Sequence, residues 1–362
     1  MLKEMKEVSE QIKASDARLT ELQAEQDAFL VGLPNMPADD VQAGGKEANE
    51  VLQTYGKKPS FTFESQHHVD LAEQLKLIDY ERGAKMAGSG YWIYSGVGAR
   101  LEWALLNYFI GEHVKDGYEM LLVPHMLNYG SGFTAGQFPK FEDDVFWIEA
   151  DEGTEQKNRR FLLPTSETAL VNYYRDEIVD PAELPRKFFA YSPCYRKEAG
   201  SYRSEERGMI RGHQFNKIEI FQYTTEEDSE EAFAELCEKA CQLMEGLGLH
   251  FRLSKLAAGD CSASMARTND IEVWIPSMND YKEVSSASNA HDYQARRGNM
   301  RYRRADGKTA FMHTLNASGL ATSRVFPAIL EQFQQADGSV LIPEVLRPWL
   351  DGAERITADG LR

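Results

Sequence analysis

Short segments with the apolar alternation of β-strands follow one another through the second half of this 362-residue chain. Several of them are joined by loops of hairpin length, and helical segments lie between others. This order predicts an α+β fold in which helices flank an antiparallel sheet, rather than a doubly wound parallel sheet. The predicted strands lie at both ends of 194–223 and around 251–256, 271–275 and 280–285, and the predicted helices at 98–115, 168–179 and about 228–246.

A separate helix is predicted over residues 4–31, with a coiled-coil-like stripe of apolar residues at heptad spacing. The stripe needs a partner, supplied by another chain, by the body of the protein or by sequence absent from this N-terminus. A solvated helix docked on the body is an equal alternative. Gly/Pro-punctuated polar residues follow, so the predicted segments are 1–34 (partial helical arm), 35–67 (linker) and 68–362 (main domain). The stripe comprises Met5, Val8, Ile12, Leu19, Leu22 and Phe29.

Composition limits the classes of protein that the chain can belong to. No apolar run approaches the roughly 20 residues of a membrane span, and the charged N-terminus lacks a secretory apolar segment. Four cysteines do not make a disulfide framework, which favours a cytoplasmic location. Cys237 and Cys241 could share a metal, but no further ligand with zinc-site spacing follows, so no zinc is expected.

The formal net charge of −17 argues against a protein that binds nucleic acid through a broad basic face. Local Lys/Arg clusters can still attract a polyanion when the total is negative. No Walker-type phosphate loop is present, and the G-x-G motifs at Gly88 and Gly96 lack the third glycine of a dinucleotide fingerprint.

Charged and hydroxyl residues recur at the ends of the predicted strands. Residues two apart share one face of a strand, so Arg196 and Glu198 point together, as do Lys217 and Glu219. Charges on the covered face of a sheet are costly unless a ligand or metal pairs with them. The pattern predicts a polar site across the sheet, with structural ion pairs as the alternative. The set comprises Thr165, Ser166, Glu167, Arg196, Glu198, Glu219, Glu283, Ser285, Ser286, Asn316, Ser318 and Arg324.

These residue types suit a nucleoside triphosphate and a small cationic substrate. Arginine binds phosphate oxygens, carboxylates with a hydroxyl can hold Mg²⁺, and Phe215 can stack on a base with an arginine on the other face. A covalent mechanism is not indicated, because no cysteine or serine is paired with a convincing His–Asp couple. His213 is as well explained as a structural hydrogen-bonding group.

Several motifs in order resemble the class II aminoacyl-tRNA synthetases, in the form of bacterial-type seryl-tRNA synthetases. CYRKEAGSYRSEERGMIRGHQFNKIEIF resembles motif 2, and GARLEWALLNYFIGEHVKDGYEMLLVP resembles motif 1, ending at Pro124. NASGLATSRVFPAILEQFQQADGSVLIPEVLRPWL resembles motif 3 and the family's tail. PTSE, GQFPKF, DIEVWIP and EVSSASNAHDYQARRGNMRYR match further segments in the family's order, so the resemblance extends over about residues 20–350.

The resemblance implies a set of site residues, with catalytic roles for Arg196, Glu283 and Arg324. Arg196 corresponds to the arginine on the α-phosphate, Phe215 and Arg324 to the pair around adenine, and Glu283 and Ser286 to Mg²⁺ ligands. Which glutamate binds the serine ammonium group and which the hydroxyl stays open. The implied ATP site is Arg196, Lys197, Glu198, Gly212, Phe215, Glu283, Val284, Ser285, Ser286 and Arg324, and the implied serine site is Thr165, Ser166, Glu167, Arg196, Glu219, Asn316 and Ser318.

The resemblance implies activation of L-serine by ATP with Mg²⁺, transfer to tRNA(Ser), and a homodimer formed through motif 1. Arg203, Arg207 and Arg211 are expected to face the tRNA acceptor stem. The chain begins inside what resembles the second helix of the tRNA-binding arm, which leaves tRNA binding by this chain open. The alternatives are a seryl-adenylate former that serves a carrier or a biosynthetic pathway, and a non-catalytic regulator, which would not need the whole site.

Overall fold

The computed structural model of the protein describes residues 2–198 and 208–362. The chain divides into two compact units, Met1–Asn35 and Met36–Arg362. In the first unit, helix α1 (Leu2–Val31) confirms the predicted N-terminal helix, and its heptad apolar side chains are 45–69% exposed. The backbone N–H groups of Gly32 and Leu33 donate to the carbonyls of Phe29 and Leu30 where the helix ends.

The second unit is built on a sheet of eight strands among the described residues. Its strands are β1 (Glu50–Tyr55), β2 (Glu119–Leu121), β3 (Arg186–Tyr195), β4 (Gln214–Thr224), β5 (Phe251–Lys255), β6 (Arg267–Ile275), β7 (Asp280–Asn289) and β8 (His313–Ala321). Their spatial order is β1-β5-β6-β7-β8-β4-β3-β2, with antiparallel neighbours except for the parallel pair β2–β3. The antiparallel α+β prediction is confirmed.

Helices and smaller strand pairs surround this sheet. The helices are α2 (His68–Gln74), α3 (Tyr80–Ala87), α4 (Val97–Lys115), α5 (Tyr129–Thr134), α6 (Glu167–Leu170), α7 (Ser229–Gly246), α8 (Tyr293–Gly298) and α9 (Thr322–Gln332). Short strands pair as Ile78–Asp79 with Ile93–Tyr94, Met126–Asn128 with Arg160–Leu162, Arg301–Arg303 with Thr309–Phe311 and Ile178–Val179, and Arg355–Thr357 with Val340–Leu341 and Gly360–Leu361. Short 3₁₀ helices lie at Lys46–Ala48, Glu142–Asp144, Gln156–Asn158, Pro181–Glu183, Pro276–Met278 and Glu344–Trp349.

The alternation of β4 explains how one strand serves both the core and a polar site. Ile218 and Ile220 lie in the main core, together with apolar residues of α4, α7 and α9. Lys217 and Glu219 leave the strand on its other face, as the two-residue period requires. Packing in the core thus holds the strand in place, and the strand in turn positions the polar residues on its other face.

Two parts of the chain differ from the sequence predictions. The helix expected at 168–179 is only α6, because the following turns bond i to i+3, as in Tyr173 N–H to Leu170 O. The segment expected as a linker contains β1, which pairs with β5. Five of the six residues of β1 are exposed, so this edge strand lacks the apolar alternation that identifies a half-buried strand. Among the described residues, no helix has the length and apolar character to cross a membrane.

Candidate active site

A buried polar cluster lies on β4 and β8, centred on Glu219. Its Oε1 accepts a hydrogen bond of 2.9 Å from Asn316 Nδ2, and its Oε2 is in ion-pair contact with Lys217 Nζ. Lys217 Nζ also donates to Thr165 Oγ1 at 2.6 Å, and that hydroxyl is 3.4 Å from Glu219 Oε2. Ser318, directly opposite Glu219 in the sheet, completes the group. The carboxylate that looked anomalous in an apolar strand therefore has cationic and amide partners.

Lys217 is a member of this cluster that sequence reasoning did not assign to the site. Its side chain is 5% exposed, and it lies two residues before Glu219 on the same face of β4. The sequence already placed Lys217 and Glu219 on one strand face, but a Lys and a Glu two residues apart also fit a simple structural ion pair. The contact with Thr165, far away in sequence, is what ties Lys217 to the predicted serine pocket.

Glu167 provides a second carboxyl group beside this cluster. Burial, and next the nearby Glu219 carboxylate, raise the pKa of Glu167 to about 7. Gln294 Nε2 donates to Glu167 Oε1 at 2.9 Å, which favours the ionised form in part. Thr314 Oγ1 donates to Gln294 Oε1 at 2.7 Å and so fixes the orientation of that amide. Gln294 was not predicted, because it is far from Glu167 in sequence and only the placement of α8 in the fold brings the two side chains together.

An aromatic and guanidinium wall lies next to the polar cluster. The Arg196 guanidinium is 5.2 Å from the centre of the Phe215 ring, and Arg196 Nε donates to Pro164 O at 3.2 Å. Arg324, on α9, donates from Nη1 to Glu283 O at 2.7 Å and from Nε to Ile210 O at 3.2 Å. One cavity, which Ser318 of the predicted serine site also lines, brings together most of the predicted ATP residues: Arg196, Glu198, Gly212, Phe215, Glu283, Val284 and Arg324.

A larger cavity of about 460 Å³ continues along β6 and β7 and is lined by acidic and hydroxyl side chains. Ser286 Oγ donates to Asp270 Oδ1, and Glu283 Oε2 lies 3.8 Å from Arg324 Nη1. Burial, followed by the neighbouring Glu283 carboxylate, raises the pKa of Asp270 well above its usual range. Oxygen ligands with excess negative charge suit Mg²⁺, so Glu283 and Ser286 fit the predicted cation ligands. Asp270 was missed because its contact depends on the β6–β7 register.

Arg211 belongs to the site wall as well as to the loop after β3. Its Nη1 donates to Glu198 Oε2 at 2.5 Å, and it lines both cavities above and a third of about 540 Å³. That third cavity also contains Thr165 and Arg196 in its lining. The sequence had assigned Arg211 to the tRNA acceptor stem together with Arg203 and Arg207, which lie outside the described residues.

Three predicted site residues have other partners. Ser166 Oγ is fully buried, 2.6 Å from Ser192 Oγ, and Ser285 Oγ donates to Ser318 O at 2.7 Å. Lys197 is held by its backbone N–H, which donates to Asp144 O at 3.0 Å. None of the three lines the cavities described above, and neither do Glu167, Glu219 and Asn316. The hydroxyls of Ser166 and Ser285 are thus taken up by contacts within the protein.

The fold is that of a class II synthetase, since residues 146–333 match the tRNA synthetase class II core domain (G, H, P, S and T). Serine–tRNA ligase 2 of Clostridium acetobutylicum is 63% identical over 349 residues, which are 96% of this chain and 82% of that protein. Serine–tRNA ligase of a Geobacillus species is 44% identical over 359 residues, 98% of this chain and 83% of the relative.

Seryl-tRNA synthetase from Pyrococcus horikoshii, solved in complex with ATP, superposes with a TM-score of 0.93 at 31% identity. The match covers 98% of this chain and 83% of that structure. The chain belongs to the serine–tRNA ligase family.

Proposed function

We propose that this chain activates L-serine with ATP to form seryl-adenylate and transfers the seryl group to tRNA(Ser). The observation that carries the proposal is the buried cluster of Thr165, Lys217, Glu219 and Asn316. Arg196 and Phe215 line a small cavity together with Lys217 of that cluster. Glu283 and Arg324 line both this cavity and the larger one of about 460 Å³. A small polar amino acid and a nucleotide can therefore meet at one place.

In the first step the serine carboxylate attacks the α-phosphorus of ATP and pyrophosphate leaves. Arg196 is proposed to bind the α-phosphate, while Phe215 and Arg324 hold adenine between them and Glu198 contacts its amino group. In the second step a ribose hydroxyl of the terminal tRNA adenosine attacks the mixed anhydride, and AMP leaves. No protein nucleophile is needed, because positioning and electrostatic stabilisation lower the barrier.

Glu283 and Ser286 are proposed to hold Mg²⁺ that arrives with ATP, with Asp270 orienting the Ser286 hydroxyl. The cation would neutralise phosphate charge and make pyrophosphate a better leaving group. The crowding of Asp270 and Glu283 supports this assignment, since a cation relieves their repulsion.

Selectivity for serine is proposed to come from the polar cluster. Thr165, Glu167, Glu219, Asn316 and Ser318 supply acceptors and donors for an ammonium group and a hydroxyl. Alanine would leave these buried groups unpaired, so strong rejection is expected, whereas threonine must be excluded by its extra methyl group.

The remaining proposals concern assembly and location. The exposed heptad stripe of α1 supports a role for residues 1–34 as part of a tRNA-binding arm. Exposed apolar side chains along motif 1, Trp103 and Leu122 among them, support a homodimer. All four cysteines are free, which is consistent with the proposed cytoplasmic location.

The function is tested by ATP–pyrophosphate exchange with a panel of amino acids, followed by charging of total tRNA. We expect exchange that depends on serine, and charging of serine tRNA. Exchange with serine but no charging would contradict the ligase for this chain and favour the seryl-adenylate former. Absence of serine-dependent exchange would contradict both.

A further inference from the structure

Glu102 is a buried carboxyl in the middle of helix α4, the helix of motif 1. It is 3% exposed, and its helix neighbours Leu101 and Leu105 belong to the main apolar core. Its Oε1 accepts hydrogen bonds from Asn216 Nδ2 at 2.8 Å and from Thr322 Oγ1 at 2.5 Å. The Tyr94 hydroxyl faces the same carboxyl. Burial raises the pKa of Glu102 to about 7.

A carboxyl at this position needs an explanation other than stability. A core-facing helix position is usually filled by an aliphatic side chain, and a buried carboxyl destabilises the fold unless its partners compensate. Here the partners come from two other elements, β4 and α9. Hydrogen bonds buried among these elements fix the relative position of the elements that contribute to them.

Both partners of Glu102 are close in sequence to Phe215 and Arg324, which are proposed to bind adenine. Asn216 lies between Phe215 and Lys217 on β4, and its side chain leaves the strand on the opposite face. Thr322 is the first residue of α9, two positions before Arg324. Thr322 Oγ1 is also 3.1 Å from Asn216 O, so α4, β4 and α9 meet at one hydrogen-bonded junction.

We propose that Glu102 is a positioning residue for ATP: through Asn216 and Thr322 it fixes the spacing between Phe215 and Arg324. The hydrogen bonds of Glu102 go to Asn216 and Thr322, so its effect on Phe215 and Arg324 passes through the backbone of β4 and the first turn of α9. The inference rests on the proposed function, in which adenine is held between Phe215 and Arg324. Glu219, the central residue of the predicted serine pocket, is three residues after Asn216 on β4 and is held by Asn316 and Lys217 instead.

The test compares Glu102→Leu with Glu102→Gln in serine-dependent ATP–pyrophosphate exchange. Leucine removes both hydrogen bonds, so KM for ATP is expected to rise about tenfold while KM for serine changes less than about twofold. Glutamine keeps the Oε1 acceptor, and KM for ATP should stay within about twofold of the wild-type value. A merely structural role would raise both constants together or lower kcat alone, and either result would overturn the proposal.

A second pair of variants applies if Glu102→Leu does not fold. Thr322→Val removes the hydroxyl that donates to Glu102, whereas the matched Thr322→Ser retains it. Thr322→Val should raise KM for ATP selectively, and Thr322→Ser should not. Equal KM values for ATP in both variants would contradict the inference. Failure of the proposed function is a different result, because wild-type protein would then show no serine-dependent exchange.

Discussion

Glu219 carries the clearest prediction for a single residue. Glu219→Gln keeps the shape of the side chain but removes the charge that pairs with Lys217 and that is proposed to bind serine. We expect kcat/KM for serine to fall by about 100-fold or more, since a buried charged hydrogen bond is lost. ATP binding should change little, because the nucleotide wall is built from other residues. The measurements are pyrophosphate exchange and equilibrium ATP binding.

The matched variant for this experiment is Ser166→Ala. Ser166 is adjacent to Thr165 in the chain, but its hydroxyl faces Ser192 in a fully buried position. Serine activation should therefore survive this change. Equal loss of serine activation and ATP binding in Glu219→Gln would show that the pocket assignment is wrong.

The raised pKa of Glu167 predicts that serine activation depends on pH. Its pKa of about 7 leaves the carboxyl largely neutral at pH 6 and ionised at pH 8. An ionised carboxylate binds the serine ammonium group, so kcat/KM for serine should rise about tenfold between pH 6 and pH 8. In Glu167→Gln the value should be lower and should not show this rise. A wild-type profile without an inflection near pH 7 would contradict the role of Glu167.

The same residues show what could be predicted from the sequence. Glu219 was found because a carboxylate in an apolar strand needs a partner, and that argument is local. Asp270 and Gln294 could not be found this way, because their contacts with Ser286 and Glu167 arise from strand register and helix placement. Lys217 lay on the predicted face, yet its role depended on Thr165, which is distant in sequence.

At the scale of elements, α4 gives a prediction that contrasts two of its glycines. A Cβ at Gly98 would lie 2.1 Å from Leu77 O and 2.7 Å from the Leu77 carbonyl carbon, which are backbone atoms. Gly98→Ala must therefore shift the first turn of α4, and we expect destabilisation of about 2 kcal/mol. Thermal unfolding measures the effect directly.

Gly111→Ala is the control in the same helix. Apart from its chain neighbours and the backbone of its own helix, a Cβ there meets no atom within 4 Å, so the better helix propensity of alanine should raise stability by up to about 1 kcal/mol. Opposite signs for the two variants are expected. Similar stability of Gly98→Ala and wild type would mean that the start of α4 is not held tightly against Leu77.

Elements were predictable where alternation or helical periodicity was strong. Strand β4 and helix α7 follow their sequence patterns closely. Strand β3 does not, because it ends at Tyr195, before Arg196 and Glu198, which the sequence placed together on a strand face. The apolar spacing after α6 predicted a continued helix, but the helix ends at Leu170. Beyond it, Tyr174 packs in a second apolar cluster with Phe188 and Tyr223. Tertiary packing determines the conformation of that segment, and local helix propensity does not include such packing.

For the whole molecule, net charge was a weak guide to function. The value of −17 argued against a nucleic-acid partner, yet the chain belongs to a family of tRNA ligases. The reason is that the total charge does not report how charges are distributed. Acidic residues crowd β6 and β7, where Mg²⁺ is proposed to bind, while Arg196, Arg211 and Arg324 line the adjacent cleft.

The proposed homodimer gives the prediction at this largest scale. Strand β2 is at the edge of the main sheet, and Leu122, directly after it, is 82% exposed, while Trp103 on α4 is 52% exposed. A twofold interface that includes both β2 and α4 would bury both side chains. Leu122→Glu places a charge in that interface, so light scattering should show a monomer. Met86→Glu, at a comparably exposed apolar residue of α3, should leave the dimer intact. A wild-type monomer, or dimers in both variants, would contradict association through motif 1.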